Sequence, residues 1–510
     1  MRGNVKPKDG QLVAYNLLEE RIINNNFCTL CGACEAACPV DALQIEGAQL
    51  KRVHNCADDL DLCPICYEIC PHSETLLLRS LKCVSDAPLR NEAFGYYRKI
   101  VIAQASDENL RAQSSGGSVV TALLKFGVET DVFDSAIVSS AEQDSPTKPK
   151  ASVALVPDDI VSAIGSKFFP SSVAKAFGSA VTGYGKTKIA YVGVPCHTRA
   201  LRKIEAWQHK IGASLKISIG LFCFGTFSHA PLLEYLEREY KINAADIKQM
   251  RLSKDFVIHT TKGIVRVPLQ EIEEHIMPSC GICTDFTDEL ADISVGGAYP
   301  LEGWSTVIVR TKAGEEFFNK AVERGILKTQ PIEEQPSVYE RIIRAAMQKR
   351  AAGLKKAGEL ERTYGYTFVS IPLRETESLA YVKVEDVMTR NVVTVDEKLT
   401  IDKLLDLMVK KHHVGYPVLD EKGDLVGLVT LEQASHVDKS KRQETRVEQV
   451  MRTELVKVLP GETGLDVFRK MSEHEIGRLV VVDPTNRSKL LGIVTKADLI
   501  ETLLKPPTAK

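Results

Sequence analysis

Apolar positions along this chain change character twice. Between about residues 95 and 360 they form short solid runs set among helix-compatible stretches. "IAYVGVPCHTRALRKI" reads as a buried strand, a turn, and a helix with apolar residues at helical spacing, and "KISIGLFCF" reads as a second buried strand. "AQSSGGSVVTALLKFGVE" (112–129) is a Ser/Gly-rich turn opening an apolar helix. Its first N–H groups suit a phosphate, or simply a plain helix cap. This alternation predicts a central α/β domain, whose strand ends and strand-to-helix turns are where such folds place ligands. Residues 351–380 read as a terminal helix running into a linker. Beyond them the pattern repeats with a period of about 63 residues: "VMTRNVVTV" (387–395) returns as "VMRTELVKV" (450–458). Likewise "HVGYPVLDEKGDLVGLVT" (413–430) returns, with an insertion, as "EIGRLVVVDPTNRSKLLGIVT" (475–495). Each copy alternates a helix with two short strands. One copy cannot bury both faces of its sheet, so the copies are expected to pack together.

Composition narrows the function classes. Across 510 residues the apolar fraction is 44%, the charged fraction 26% and the net charge −2, with no long basic or acidic run. That gives no support for nucleic acid or an anionic membrane surface as the main partner. No stretch approaches the roughly 18 apolar residues of a membrane span. The N-terminus lacks the apolar core of a signal peptide, so the expected location is the cytoplasm. Thirteen cysteines are many for a reducing compartment, and they point to metal or redox chemistry rather than disulfides.

Cysteine spacing carries most of the chemistry. "CTLCGACEAACP" places Cys28, Cys31, Cys34 and Cys38 before Pro39, the bacterial ferredoxin run for a 4Fe-4S cluster. Cys56 and then "CPICYEICP" supply Cys63, Cys66, Cys70 and Pro71, a second run with its first gap lengthened. In such pairs the fourth cysteine of each run serves the other cluster. One cluster is therefore assigned to Cys28, Cys31, Cys34 and Cys70, and the other to Cys38, Cys56, Cys63 and Cys66. "ALQIEGAQLKRV" between the runs fits a short hairpin, as in a small ferredoxin-like module over residues 20–80. Structural zinc is the alternative, but it usually takes two separated Cys-x-x-Cys pairs. Of the remaining cysteines, Cys196, Cys223, Cys280 and Cys283 come from three separate loops and can converge on a further cluster. Each also reads singly as a small buried apolar residue. Cys83 reads as structural.

Five central stretches resemble the beta subunit family of coenzyme F420 hydrogenase/dehydrogenase. In order they are "SSGGSVVTALL", "GSKFFPSS" (165–172), "YVGVPCHTRALRKI", "GLFCFGTFSHAPLLEYL" and "PSCGICTDFTDELADISVGGAYPLEGWSTVIVRT". The resemblance spans roughly residues 95–325. It implies FAD, one 4Fe-4S cluster beside it, and hydride exchange with the 5-deazaflavin coenzyme F420. By position it carries the cluster to Cys196, Cys223, Cys280 and Cys283. It carries the flavin to Ser115, Gly116, Gly117, Ser118, Lys167, Pro195 and His197, with no catalytic side chain required. Arg199, Arg202, Lys203, Arg251 and Lys254 are candidate countercharges for the coenzyme's phosphate and carboxylates, or simply a solvated basic face. The C-terminal repeat resembles a pair of CBS domains, which implies AMP or ATP between the copies, or assembly of a homo-oligomer without ligand. Thr495 and Asp498 are the nucleotide candidates in the second copy. In the first copy Gln433 stands beside Thr430 where the carboxylate is expected.

The expected fold is therefore α+β and multidomain: a ferredoxin-like module (20–80), a central α/β flavoprotein domain (95–360) and two CBS domains (381–443 and 444–506). The expected function is electron transfer between F420 and a one-electron carrier, a ferredoxin-like protein or another redox subunit. A non-catalytic adaptor in a larger redox complex, and a reductase of the same fold acting on another substrate, are the alternatives.

Overall fold

The computed structural model describes residues 12–60, 62–114, 116–142, 145–252, 255–364, 379, 382–411, 413–474, 476–496 and 498–499. It divides into two compact units. The larger comprises Asn16–His54 and Ile65–Ser370, and the smaller Met1–Tyr15, Asn55–Pro64 and Ile371–Lys510.

The larger unit is built on an eight-stranded mixed sheet. Its strands are β1 (Lys99–Ala105), β2 (Ser135–Glu142), β3 (Ser145–Ala154), β4 (Ile189–Gly193), β5 (Leu215–Leu221), β6 (Ile293–Gly297), β7 (Ser305–Val309) and β8 (Leu327–Pro331). Their spatial order is β8-β1-β7-β6-β5-β4-β2-β3. Strands β2, β4, β5 and β6 are parallel. Strand β7 runs antiparallel to both β6 and β1, so β1 shares the direction of the parallel set. The carboxyl ends of these five strands therefore lie along one edge.

The solid apolar runs follow from burial on both faces. Side chains alternate along a strand. Val307 and Val309 face a core containing Phe317 and Phe318 and helix α1 (Val119–Glu129), while Ile308 faces Phe94 and Ile342 on the opposite side. On β4, Ala190 belongs to the first of these cores. Ile189 and Tyr191 belong to a third, with helices α2 (Val173–Thr182) and α3 (Pro195–Ala206).

That third core also holds Cys31, Ala33, Ala37, Ile69 and Leu76. The first cysteine run and the end of the second thus share apolar packing with the sheet. Gly178 on α2 shows how close the approach is, since a Cβ there would lie 2.7 Å from Cβ of Ala36. The expected hairpin forms from Leu43–Glu46 and Gln49–Arg52, with Leu43 opposite Arg52. The unit ends in α4 (Pro336–Tyr364). The linker expected after it lies largely outside the described residues.

In the smaller unit the repeat is plain. Helix Ile401–Lys411 precedes strands Gly415–Leu419 and Leu425–Thr430, and helix Gly464–Glu473 precedes Arg478–Val482 and Leu490–Thr495. The copies pack together as expected: Leu425 of the first shares a core with Val480 and Val482 of the second. Among the described residues no helix is long and apolar enough to cross a membrane.

Candidate functional site

The carboxyl edge of the sheet gathers four cysteines. Strand β4 ends at Gly193, and Pro195 opens α3 at a position where its missing N–H costs nothing. Cys196 follows as the second helical residue. Cys223 lies two residues past β5, its N–H bonded to the carbonyl of Phe286 at 2.9 Å. Cys280 sits in a single helical turn, Pro278–Gly281, and its Sγ accepts the N–H of Thr226 at 3.3 Å. The N–H of Cys283 bonds to the Cys280 carbonyl at 3.2 Å. The thiol of Cys196 is pushed far up, first by burial and then by Cys223, Cys280 and Cys283. The structure thus brings all four together from three loops.

Two further residues close this site that sequence reasoning did not find. Lys349 on α4 donates from Nζ to the Cys223 carbonyl at 2.6 Å. Burial opposes its charge, but the thiols of Cys283, Cys223 and Cys280, with Asp285, hold its pKa above the ordinary lysine value. Gly353, one turn on, lies flush against Cys283, and a Cβ there would meet the Cys283 carbonyl oxygen at 2.6 Å. No local signal marks either position, because α4 also carries Lys355 and Lys356 and several alanines around Gly353.

The first N-terminal set is also assembled. The Cys34 thiol is pushed well up, first by burial and then by Cys28, Cys31, Cys66 and Cys70. Burial likewise drives Cys28 to about 12 and Cys70 to about 11. Gly32, with φ +83°, lets this loop lie on α2, where a Cβ would meet that of Lys175 at 2.7 Å. The Cys31 carbonyl accepts the N–H of Ala174 at 2.9 Å, and the Leu30 carbonyl accepts Ser172 Oγ at 2.9 Å. For the second set, Cys38 and Cys66 belong to the larger unit and Cys56 and Cys63 to the smaller. Cys38 Sγ accepts the N–H of Ala42 at 3.2 Å. Cys83 donates to the carbonyl of Ser80 at 3.1 Å, apart from these sets.

The described residues include all thirteen cysteines, and none is in a disulfide. Among the described residues no three His, Cys, Asp or Glu side chains are arranged to hold a single metal ion. A zinc ion needs its sulfurs about 2.3 Å away. A cube binds each thiolate to a different iron and so keeps them further apart.

The flavin candidates are divided. Lys167 and His197 line a cavity of about 70 Å³ with Gly193, Val194, Cys196, Phe169, Met277 and Cys280. Burial lowers His197 to about 4 and Lys167 to about 8. The Lys167 amine donates to the carbonyls of Ala163, Ile164 and Gly165 at 3.1, 3.3 and 2.8 Å. This cavity is well below the roughly 300 Å³ at which ligand pockets begin, so it does not take a flavin ring as it stands. Gly116, Gly117 and Ser118 lie elsewhere on the same edge, beside Ser305 at the start of β7. Gly117 is required there by close backbone approach: a Cβ would sit 2.5 Å from the Ala103 carbonyl oxygen. The start of α1 beyond them leaves its first N–H groups without intrahelical partners, which suits a phosphate. Ser115 lies outside the described residues.

The proposed coenzyme countercharges fare differently. Arg202 is buried and bonded to the Leu290 carbonyl, Glu205, Ser218 and Asp292. Lys203 is wholly buried and donates to the carbonyls of Cys70 and Ser73, both at 2.7 Å. Arg199 is also buried. These three are not a solvated basic face, because α3 is enclosed by the sheet and the cysteine runs. Arg251 lies on the strand Ile247–Leu252 with its Nε buried and unpaired, and Lys254 is outside the described residues. In the CBS pair, Asp498 accepts both the N–H and the hydroxyl of Thr495, at 2.6 and 2.8 Å. Gln433 does the same for Thr430, at 2.8 and 3.2 Å. Both are helix-capping arrangements.

Comparison with known proteins finds matches along most of the chain. The C-terminal domain family of the coenzyme F420 hydrogenase/dehydrogenase beta subunit matches residues 186–335, and its N-terminal counterpart matches 100–177. The CBS domain family matches 384–437 and 447–505, and the 4Fe-4S binding domain family matches 21–44. The chain is 30% identical over 276 residues to the coenzyme F420 hydrogenase subunit beta of Methanosarcina barkeri, covering 53% of this chain and 94% of that protein. It is 28% identical over 327 residues to the coenzyme F420-dependent sulfite reductase of Methanocaldococcus jannaschii, covering 61% of this chain and 48% of that protein. Among solved structures it is similar to a chain of the F420-reducing NiFe hydrogenase complex of Methanosarcina barkeri. That match has a TM-score of 0.53 and 29% identity, over 55% of this chain and 99% of that one.

Proposed function

The chain belongs to the coenzyme F420 hydrogenase/dehydrogenase beta-subunit family, and on that premise we propose that it is a flavin and iron–sulfur oxidoreductase. It moves electrons between F420 and a one-electron carrier or partner redox subunit. The observation that carries this reading is the meeting of Cys196, Cys223, Cys280 and Cys283 at the carboxyl edge of the sheet, with Cys31 of the N-terminal set also among the charges Cys196 senses.

In this reading Cys196, Cys223, Cys280 and Cys283 hold one 4Fe-4S cluster, Cys28, Cys31, Cys34 and Cys70 a second, and Cys38, Cys56, Cys63 and Cys66 a third. The clusters carry single electrons, and FAD, when bound, supplies the exchange between two-electron hydride chemistry and one-electron steps. The chain's own part is to hold the thiolates in place and keep water from them. Burial of Cys31, the half-buried position of Cys196 and the packing of α3 and α4 support that role. Gly116, Gly117 and Ser118 at the start of α1, with Ser115, are proposed to take a flavin phosphate. Lys167, Pro195 and His197 are proposed to border the ring, which requires the cavity beside Cys196 to widen. No protein acid or base is assigned. Thr495 and Asp498 are the proposed adenine-nucleotide contacts, and binding has to compete with the bonds that Asp498 makes to Thr495. Assembly through the CBS pair belongs to the same proposal.

The test is an anaerobic reductive titration of the reconstituted chain, with iron and flavin quantified and absorbance followed throughout. About twelve irons per chain, four for each cluster, together with flavin bleached by reduced F420 and not by NADPH, is the expected result. About eight irons removes the central cluster. Flavin unresponsive to F420 leaves the electron-transfer adaptor as the function.

A further inference from the structure

Two lysines stand in matching positions against two cysteine sets. Lys203, wholly buried on α3, donates from Nζ to the Cys70 carbonyl at 2.7 Å, the Ser73 carbonyl at 2.7 Å and Ser73 Oγ at 2.9 Å. Lys349, partly buried on α4, donates from Nζ to the Cys223 carbonyl at 2.6 Å. Each therefore docks on the backbone carbonyl of a cysteine, one in the N-terminal set and one in the central set. Among the described residues neither forms an ion pair with a carboxylate within 4.0 Å. Burying an ammonium among carbonyls alone is unfavourable. The negative groups that act on them are the Cys70 thiol with Glu74 and Glu68 for Lys203, whose amine burial still lowers to about 7, and the thiols of Cys283, Cys223 and Cys280 with Asp285 for Lys349.

We propose that Lys203 and Lys349 are potential-setting residues, one for each set, and that each raises the reduction potential of the cluster its set holds. The proposal rests on the cluster assignment given under the proposed function. The physical reason is charge. Reduction adds one electron to an already anionic cube, and a fixed cation in a low-dielectric surround favours the more negative state. No bond is made or broken in this step. The reductant is reduced flavin in the proposed function and dithionite in the test. Lys203 lies seven residues after Cys196 on α3, which thus joins a ligand of the central set to the countercharge of the N-terminal set. An electron leaving the central cluster then meets a neighbouring cluster whose reduced state is already favoured.

The test is a redox titration of the whole reconstituted chain followed by electron paramagnetic resonance, with iron counted in every sample. The variants are Lys203→Gln and Lys349→Gln, which keep an N–H donor and lose the charge, and Lys203→Arg and Lys349→Arg, which keep the charge. Cys283→Ser identifies the central signal by its loss. Lys349→Gln is expected to lower the central midpoint alone, by at least a tenfold change in the ratio of reduced to oxidised cluster at fixed potential, about 59 mV for one electron. Lys203→Gln is expected to do the same for the N-terminal cluster alone, with the Arg variants near wild type. Unmoved midpoints in iron-replete Gln variants, or Arg variants that shift as far as Gln, overturn the proposal and show the lysines to be loop clamps. A wild-type chain lacking iron at either set overturns the cluster assignment itself, and this inference with it. If Lys203→Gln loses iron, the Lys349 pair alone decides.

Discussion

Replacing Arg310 with Met should cost the larger unit about 3–5 kcal/mol. Arg310 is completely buried at the turn after β7. Its guanidinium donates to the carbonyls of Phe94 at 2.7 Å, Tyr96 at 2.8 Å and Thr287 at 3.2 Å. It also reaches Ser294 Oγ at 2.7 Å and Thr287 Oγ1 at 2.9 Å. These bonds tie the segment before β1 to the loop that follows Cys283. Met fills similar space but leaves the buried carbonyls of Phe94 and Thr287 and the half-buried carbonyl of Tyr96 without this donor. Each such group costs about 1–3 kcal/mol, and taking the low end for three gives about 3 kcal/mol, the lower bound above. It matches the cost of breaking a buried charge network, which also applies because Glu289, Asp285 and Asp288 are the acidic groups nearest Arg310. The assay is anaerobic urea unfolding followed by tryptophan fluorescence. Trp207 and Trp304 are the only two tryptophans, and both lie in the larger unit, so the signal is blind to the CBS pair. Arg310→Lys should fall between wild type and Met, because it keeps the charge but loses the fork. A loss below about 1 kcal/mol for Met, the value of one ordinary hydrogen bond, would refute the reasoning.

Other consequences are as direct. Gly353→Ala drives a methyl into the Cys283 backbone, so it should cost about 1–3 kcal/mol and lower the iron content, while Gly461→Ala, with open space around it, should leave the iron content unchanged. Asp292 accepts from Arg202, Ser218 and Thr311, and these partners hold its carboxyl below the ordinary value although burial works the other way. Its contribution is complete above about pH 4, the unfolded value, and is lost as pH falls from there through the depressed native value. The tryptophan-detected midpoint should therefore drop more steeply below pH 4 in wild type than in Asp292→Asn. In the smaller unit, Thr430→Ala removes a reciprocal cap with Gln433 and should cost about 1 kcal/mol, seen by far-UV circular dichroism while tryptophan fluorescence stays unchanged.

Much of this protein is legible in its residue order because the responsible physics is local. A cube needs several thiolates from adjacent residues, so Cys28, Cys31, Cys34 and Cys38 announce themselves by spacing alone. A repeat announces itself by self-similarity, as at Met388 and Met451. Short solid apolar runs mark strands covered on both faces, as β5 and β7 are. The grouping of Cys196, Cys223, Cys280 and Cys283 needed more. It depends on the sheet order that sets β4, β5 and β6 side by side, and sequence could propose it only through loop position and resemblance. Lys349 was invisible. It lies 126 residues from Cys223 along the chain, and nothing in a helix that also carries Lys355 and Lys356 says which lysine turns inward. Lys203 and Arg202 were visible but misread, because a basic cluster looks the same whether water or protein surrounds it. The sequence by itself determined which atoms can bind iron and where the repeats lie. Tertiary structure decided which charges are taken out of water beside those thiols, since burial is a property of what packs on a residue and not of the residue itself.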